Sequence, residues 1–171
     1  MLFSRQGGMV LLISLVFLLL LSLVGLSSMQ MAVTQQKIAA SLWHRNQSLQ
    51  TAESGLRLGE SRVRREFAGL APCQSFVTCA PPGEAFSVTG AGVNPVSGMN
   101  WAGLKSGLYG VQSLGTGVGV AHLPAQTPAT LYRVTAVGFS GQSRTVLESV
   151  YVRVEEDGRS WFRRVAWRQL Q

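Results

Sequence analysis

Residues 9–26 read MVLLISLVFLLLLSLVGL, and the fold follows from how this stretch is read. It holds no charge, no proline and a single glycine, Gly25. As a helix at about 1.5 Å per residue it would reach roughly 27 Å, close to the ~30 Å hydrocarbon core of a bilayer. Ahead of it lies a polar leader, Met1 to Gly8, whose only charge is Arg5. That charge sets the N-terminus on the cytoplasmic side of a single-pass anchor. Behind it no proline occurs before Pro72, so nothing breaks a helix through Phe67. The expectation is one helix of about 90 Å, with residues 9–26 in the membrane and 27–67 amphipathic. No small domain buries a helix that long, so half of it must meet lipid or an assembly.

In the amphipathic half, Ile38, Leu42, Leu49, Ala52, Leu56, Val63 and Phe67 recur at spacings of three, four and seven. Polar residues fill the opposite side: Gln35, Gln36, Arg45, Asn46, Gln47, Glu53, Arg57, Glu60 and Arg64. Glu53 and Arg57 stand four apart with the acid first, the favourable order. Ile13, Leu42, Leu49, Glu53, Leu56, Arg57 and Val63 are the helix-packing candidates. Gly55 and Gly59 each cost about 1 kcal/mol in a helix relative to alanine, which points to close packing there. Their Gly-x-x-x-Gly spacing lies outside the apolar run and does not read as a membrane dimerisation motif.

Residues 68–171 read as a globular domain outside the membrane. Gly69, Pro72 and Pro81-Pro82-Gly83 end the helix. Cys73 and Cys79 read as a structural disulfide, worth about 2 kcal/mol in the loop-entropy model. Zinc would need further ligands nearby, and a redox pair usually has Cys-x-x-Cys spacing. Glu84 to Thr89 reads as a short strand. Gly90 to Thr130 reads as long loops around one or two strands, the clearest being Gly107 to Gln112. The glycines of LGTGVGV, Gly115, Gly117 and Gly119, read as turns. Leu131 to Phe139, a turn at Ser140-Gly141, and Ser143 to Val154 read as a hairpin. Val146, Val150, Val152 and Val154 share one face, interrupted by Glu148. After the turn Glu155 to Gly158 comes a third strand, with Trp161, Val165 and Trp167 on one side and Arg164 and Arg168 on the other. The result is an α+β fold in which the helical stripe covers the one apolar face of an antiparallel sheet.

The 171-residue chain has few charged residues, 13%, and a formal net charge of +7. The basic clusters Arg62, Arg64, Arg65 and Arg163, Arg164, Arg168 come with no nucleic-acid-binding motif and read as solvated faces or subunit contacts. His44 and His122 are far apart, and no catalytic signature occurs. The sequence implies no enzyme, no metal and no cofactor.

RQGGMVLLISLVFLLLLSLVGLSSMQ (residues 5–30), followed by RNQSLQTAESGLRLGE (residues 45–60), resembles the N-terminal region of the PilX family of type IV pilus minor pilins. Ala52-Glu53 with Leu56, Arg57 and Glu60 carries that resemblance beyond hydrophobicity. It implies a prepilin leader, cleaved between Gly8 and Met9 by prepilin peptidase, and N-methylation of Met9. It implies a type IV pilin-like fold and, as partners, inner-membrane lipid, other minor pilins and a tip adhesin, but no nucleic acid. It implies roles in pilus assembly, twitching motility and adhesion, first in the inner membrane and then at the fimbrial tip. Most pilins carry glutamate as the fifth mature residue, which neutralises the terminal ammonium of a neighbour already in the filament. Here that position is Ile13, which suits a subunit with no earlier neighbour. Three alternatives stand beside this reading. One is a K-type pseudopilin of type II secretion, whose large inserted helical domain this chain has no room for. The others are a membrane-anchored periplasmic binding module that is never polymerised, and a secreted domain behind an ordinary signal peptide.

Overall fold

The computed structural model describes residues 7–156 and 158–171. Met1 to Gln6 of the expected leader lie outside the described residues, as does Asp157 of the expected turn after Val154. Helix α1 spans Gly7–Glu66 and closes in a 3-10 turn, Phe67–Gly69. A four-residue helix α2 (Phe76–Cys79) and a second 3-10 turn (Gly83–Phe86) follow. Then come six strands: β1 Gly92–Val93, β2 Asn100–Leu104, β3 Gly107–Gly117, β4 Ala129–Ser140, β5 Ser143–Glu156 and β6 Arg159–Gln169. All neighbours pair antiparallel, and the order in the sheet is the order in the chain. The fold is therefore α+β, a long N-terminal helix and an antiparallel sheet, as the sequence led one to expect.

The chain divides within α1 into two compact units, one ending at Leu42 and one running Trp43–Gln171. In the first, the described residues are helical and the apolar stretch is exposed along its length. In the second, the helix from Trp43 onward lies on the sheet. Ala52, Leu56 and Val63 form a core with Tyr132, Val134, Ala136, Leu147 and Tyr151.

The structure corrects several expectations. The sheet has two apolar faces rather than one. The helix covers the face of Leu147 and Tyr151, the odd-numbered positions of β5. Val146 faces the other way, with Ala85, Met99, Trp101, Leu108 and Val137. Val152 and Val154 pack there too, with Val120, Leu123, Trp161 and Val165. That second face is closed by the chain between α1 and β2 and between β3 and β4. Glu84 to Thr89 is not a strand: Glu84 to Phe86 belong to a 3-10 turn, set up by the fixed φ of Pro82 ahead of it. β3 continues past Gln112 to Gly117, because Gly115, at a φ of +86°, supplies a bulge that lets pairing with β4 resume. A second register shift opposite Val150/Tyr151 turns β6 over. Trp167 thus pairs with Ser149 on the helix side and Arg168 with Glu148 on the other, so Trp161 and Trp167 do not share a face.

Candidate functional site

The N-terminal segment offers a surface for lipid or for other helices. Met9, Ile13 and Leu42 are all more than half exposed, and none of them belongs to a core cluster of the described residues. Gly8 and Met9 sit in the first turns of α1. Of the other helix-packing candidates, Leu56 and Val63 are buried against the sheet and Leu49 is half-buried. Glu53, half-buried, and Arg57, exposed, border a crevice of about 90 Å³ with Leu56, Arg164 and Trp167.

The seam between helix and sheet is built from small residues. A Cβ on Gly55 would stand 2.9 Å from the Ala136 Cβ, and one on Gly59 would overlap the Val134 side chain. On the sheet side, a Cβ on Gly138 would run into the backbone of Ser48 and Ala52. The two helix glycines thus let the helix backbone close onto the Ala136 and Val134 side chains, and Gly138 lets the sheet backbone meet that of the helix. Ser48 is buried in the same seam, 2.8 Å from the Thr145 hydroxyl. Ser140 donates to Gln47 Oε1 at 2.6 Å, which leaves its oxygen to accept from His44 Nδ1 at 2.9 Å. His44 is therefore a satisfied structural histidine. His122 stands in the loops at a φ of +66°.

Two buried carboxylates mark the two faces. Glu60, which helical periodicity put on the polar side, is only 7% exposed. It pairs with Arg164 at 2.7 Å and accepts from Ser149 Oγ at 3.0 Å. The hydrogen bond from Arg164 to Glu60 holds the Arg164 pKa above its usual value, against the opposing effect of burial. On the other face Glu148 is 3% exposed and meets Arg168 at 2.9 Å and Arg133 at 3.3 Å. The Arg133 Nε and Glu148 Oε2 atoms face each other without hydrogen-bond alignment. Burial lowers the Arg133 pKa, Glu148 raises it in part, and Arg168 lowers it further. Sequence reading missed both anchors. The available signal was an acid in an otherwise apolar register, Glu148 among valines, with arginines free on neighbouring strands.

Cys73 and Cys79 form a disulfide with their Cα atoms 5.2 Å apart. The ring is docked on the sheet by side chains reaching its carbonyls. Gln112 Nε2 donates to Thr78 O at 2.7 Å and Ala80 O at 3.1 Å, and Arg133 Nη1 to Cys79 O at 2.6 Å. Beside it, Phe76, 98% exposed, helps line an open hollow of about 580 Å³ with Val77, Pro81, Pro82 and Val96. Among the described residues no group of three His, Cys, Asp or Glu side chains is placed to hold a metal.

Residues 7–57 match a family model described as PilX N-terminal. The match supports the PilX family of type IV pilins, and it bears out the resemblance drawn from residues 5–30 and 45–60. It lies within α1 and includes none of the sheet. No curated protein and no solved structure matches the chain.

Proposed function

We propose that this type IV pilin-like chain is a minor pilin, a structural subunit of the complex that primes pilus assembly and sits at the pilus tip. The observation that carries the reading is the family match over residues 7–57, which takes in the exposed apolar stretch 9–26. In this reading residues 1–8 are the leader and prepilin peptidase cuts between Gly8 and Met9. Residues 9–26 hold the subunit in the inner membrane with the N-terminus cytoplasmic, and then join the helical core of the filament. The mechanism is packing, not catalysis. Ile13 occupies the place where most pilins carry a glutamate, and a buried carboxylate in lipid is costly unless paired. A subunit without it has no charge to offer an earlier neighbour, which suits the first position. The Trp43–Gln171 unit is then displayed to other minor pilins and a tip adhesin. Twitching motility and adhesion follow from assembly.

The missing glutamate also fits the K-type pseudopilins of type II secretion. Those carry a large inserted helical domain, whereas the only helical elements after α1 among the described residues are α2 and two 3-10 turns.

The test is the intact mass and N-terminal sequence of the protein in host membranes, with and without prepilin peptidase. The expected product starts at N-methyl-Met9, and only when the peptidase is present. A chain starting at Met1 in both strains removes the pilin role and leaves a plain membrane anchor. A start near Ala32 means an ordinary signal peptide. For the processed chain, deletion should reduce piliation and twitching. Unchanged piliation, twitching and adhesion would refute the assembly role.

A further inference from the structure

We propose that the outer edge of β6 is a docking rail for an extended, acidic strand of a second protein. The inference uses only the Trp43–Gln171 unit and does not rest on the pilus reading. Among the described residues β6 is an edge strand: one side of it pairs with β5, and no strand pairs with the backbone N–H and C=O groups of the other side over its eleven residues. An open edge of that length is a template for another strand. The opposite edge, β1, is two residues long and offers no comparable register.

Charge selects the occupant. From Arg159 to Gln171 the chain carries Arg159, Arg163, Arg164 and Arg168 and no acid. A second copy of this strand would set arginine against arginine, and like charges directly opposite on paired strands are destabilising. The same arginines that deter self-pairing favour a strand bearing carboxylates. Arg164 and Arg168 are held by Glu60 and Glu148. Arg163, on the loop face, meets only the His122 carbonyl, at 3.4 Å, among the described residues. On the helix face, Arg57 enters no ion pair among the described residues and borders the crevice beside Trp167. Trp167 is 47% exposed at that rim. Side chains of an added strand alternate between faces, so successive carboxylates would meet Arg163 on one side and Arg57 on the other. Backbone pairing supplies the affinity and the flanking arginines the choice of partner.

The experiment places a photo-crosslinking residue, p-benzoylphenylalanine, in the full-length protein in its own cells. Three positions are labelled one at a time: Ser160 and Ala166 on β6, and Val93 on β1 as the contrast. The expected result is that positions 160 and 166 capture the same protein, at sites about six residues apart within one segment that carries acidic residues on both of its faces. Position 93 does not capture that segment. Arg163→Glu should lower capture from position 166 by about fivefold or more, while Arg163→Lys keeps it within about twofold. Trypsin resistance of the Trp43–Gln171 unit in each variant excludes unfolding as the cause. Capture of a second copy of this chain, capture of lipid alone, sites scattered over non-contiguous positions, a segment without carboxylates, or no capture each overturn the proposal. The N-terminus read on the same samples separates this failure from failure of the pilin reading.

Discussion

The helix closes one face of the sheet by bringing backbone against backbone, whereas the loops close the other with side chains that reach for carbonyls. On the helix face, Gly55, Gly59 and Gly138 each leave out a Cβ that would clash across the seam. On the loop face, Gln112 and Arg133 fasten the disulfide ring, and Arg144 Nη1 donates to Ala85 O at 3.1 Å and Val88 O at 2.9 Å. A helix has already satisfied its own backbone and can be packed by shape alone. An irregular segment has not, and its buried carbonyls must be met by donors from the sheet. The two faces therefore spend polar residues differently, and each has a different point of failure.

The largest expected loss is at the centre of the loop face. Glu148→Ala leaves the Arg133 guanidinium buried without its carboxylate and should destabilise the compact unit by about 3–4 kcal/mol. Arg168 is half exposed and returns to water at little cost. Glu60→Ala on the helix face should cost less, about 1–2 kcal/mol, because its partner Arg164 is itself part exposed. Urea unfolding of the full-length protein in detergent micelles measures both. Equal losses would mean that the two carboxylates are equivalent and the contrast between the faces is wrong.

Next is the seam itself. Gly138→Ala puts a methyl group into the backbone of Ser48 and Ala52, where no rotamer can yield. Overpacking of this kind costs about 1–3 kcal/mol, and rigid backbone on the far side sets the upper end. A loss of under ~1 kcal/mol would show that the helix can lift from the sheet freely, against the close-packing account.

The disulfide comes third. Replacing Cys73 and Cys79 together with serine should cost about 2 kcal/mol by the loop-entropy model. The loss should stay local. Amide exchange should quicken from Cys73 to Ala80 and around Gln112, while amides of β4 opposite Ala52 and Leu56 keep their protection. Loosening that reached the helix face would contradict the independence of the two faces.

This contrast also decides what the sequence made legible. The helix, the β4–β5 hairpin and β6 could be read because each carries its own period, and Gly55 and Gly59 announced close packing by their cost in a helix. The orientation of β5 could not. With both faces buried, Val146, Val152 and Val154 alternate with Thr145, Leu147, Ser149 and Tyr151, and apolarity alone hands the valines to the helix. What settles the matter is polar matching between distant residues: Ser48 with Thr145, and Glu60 with Ser149. The reversal within β6 was hidden because a bulge leaves no mark in the alternation except the residues it displaces, here around Val165. The segment Glu84 to Thr89 misled because its alternation ignored the prolines before it.

The smallest effect separates the faces by pH. All three tyrosines of the chain, Tyr109, Tyr132 and Tyr151, belong to the helix-face core. Burial raises the pKa of the Tyr132 phenol above the usual value of 10.0, and the positive charge of Arg153 offsets this only in part. The folded protein thus holds the Tyr132 proton to higher pH than the unfolded chain does. Stability from this group is fully present below pH ~10 and is lost as the pH rises from there through the raised folded value. Urea midpoints should therefore fall between pH 9 and pH 11, and the fall should be shallower in Tyr132→Phe, which has no phenol to ionise. Exchange should quicken first in amides opposite Ala52, Leu56 and Val63 rather than around Met99 and Val146. An unchanged slope in Tyr132→Phe, or loosening that began on the loop face, would assign the alkaline loss to another group and remove pH as a way of opening one face before the other.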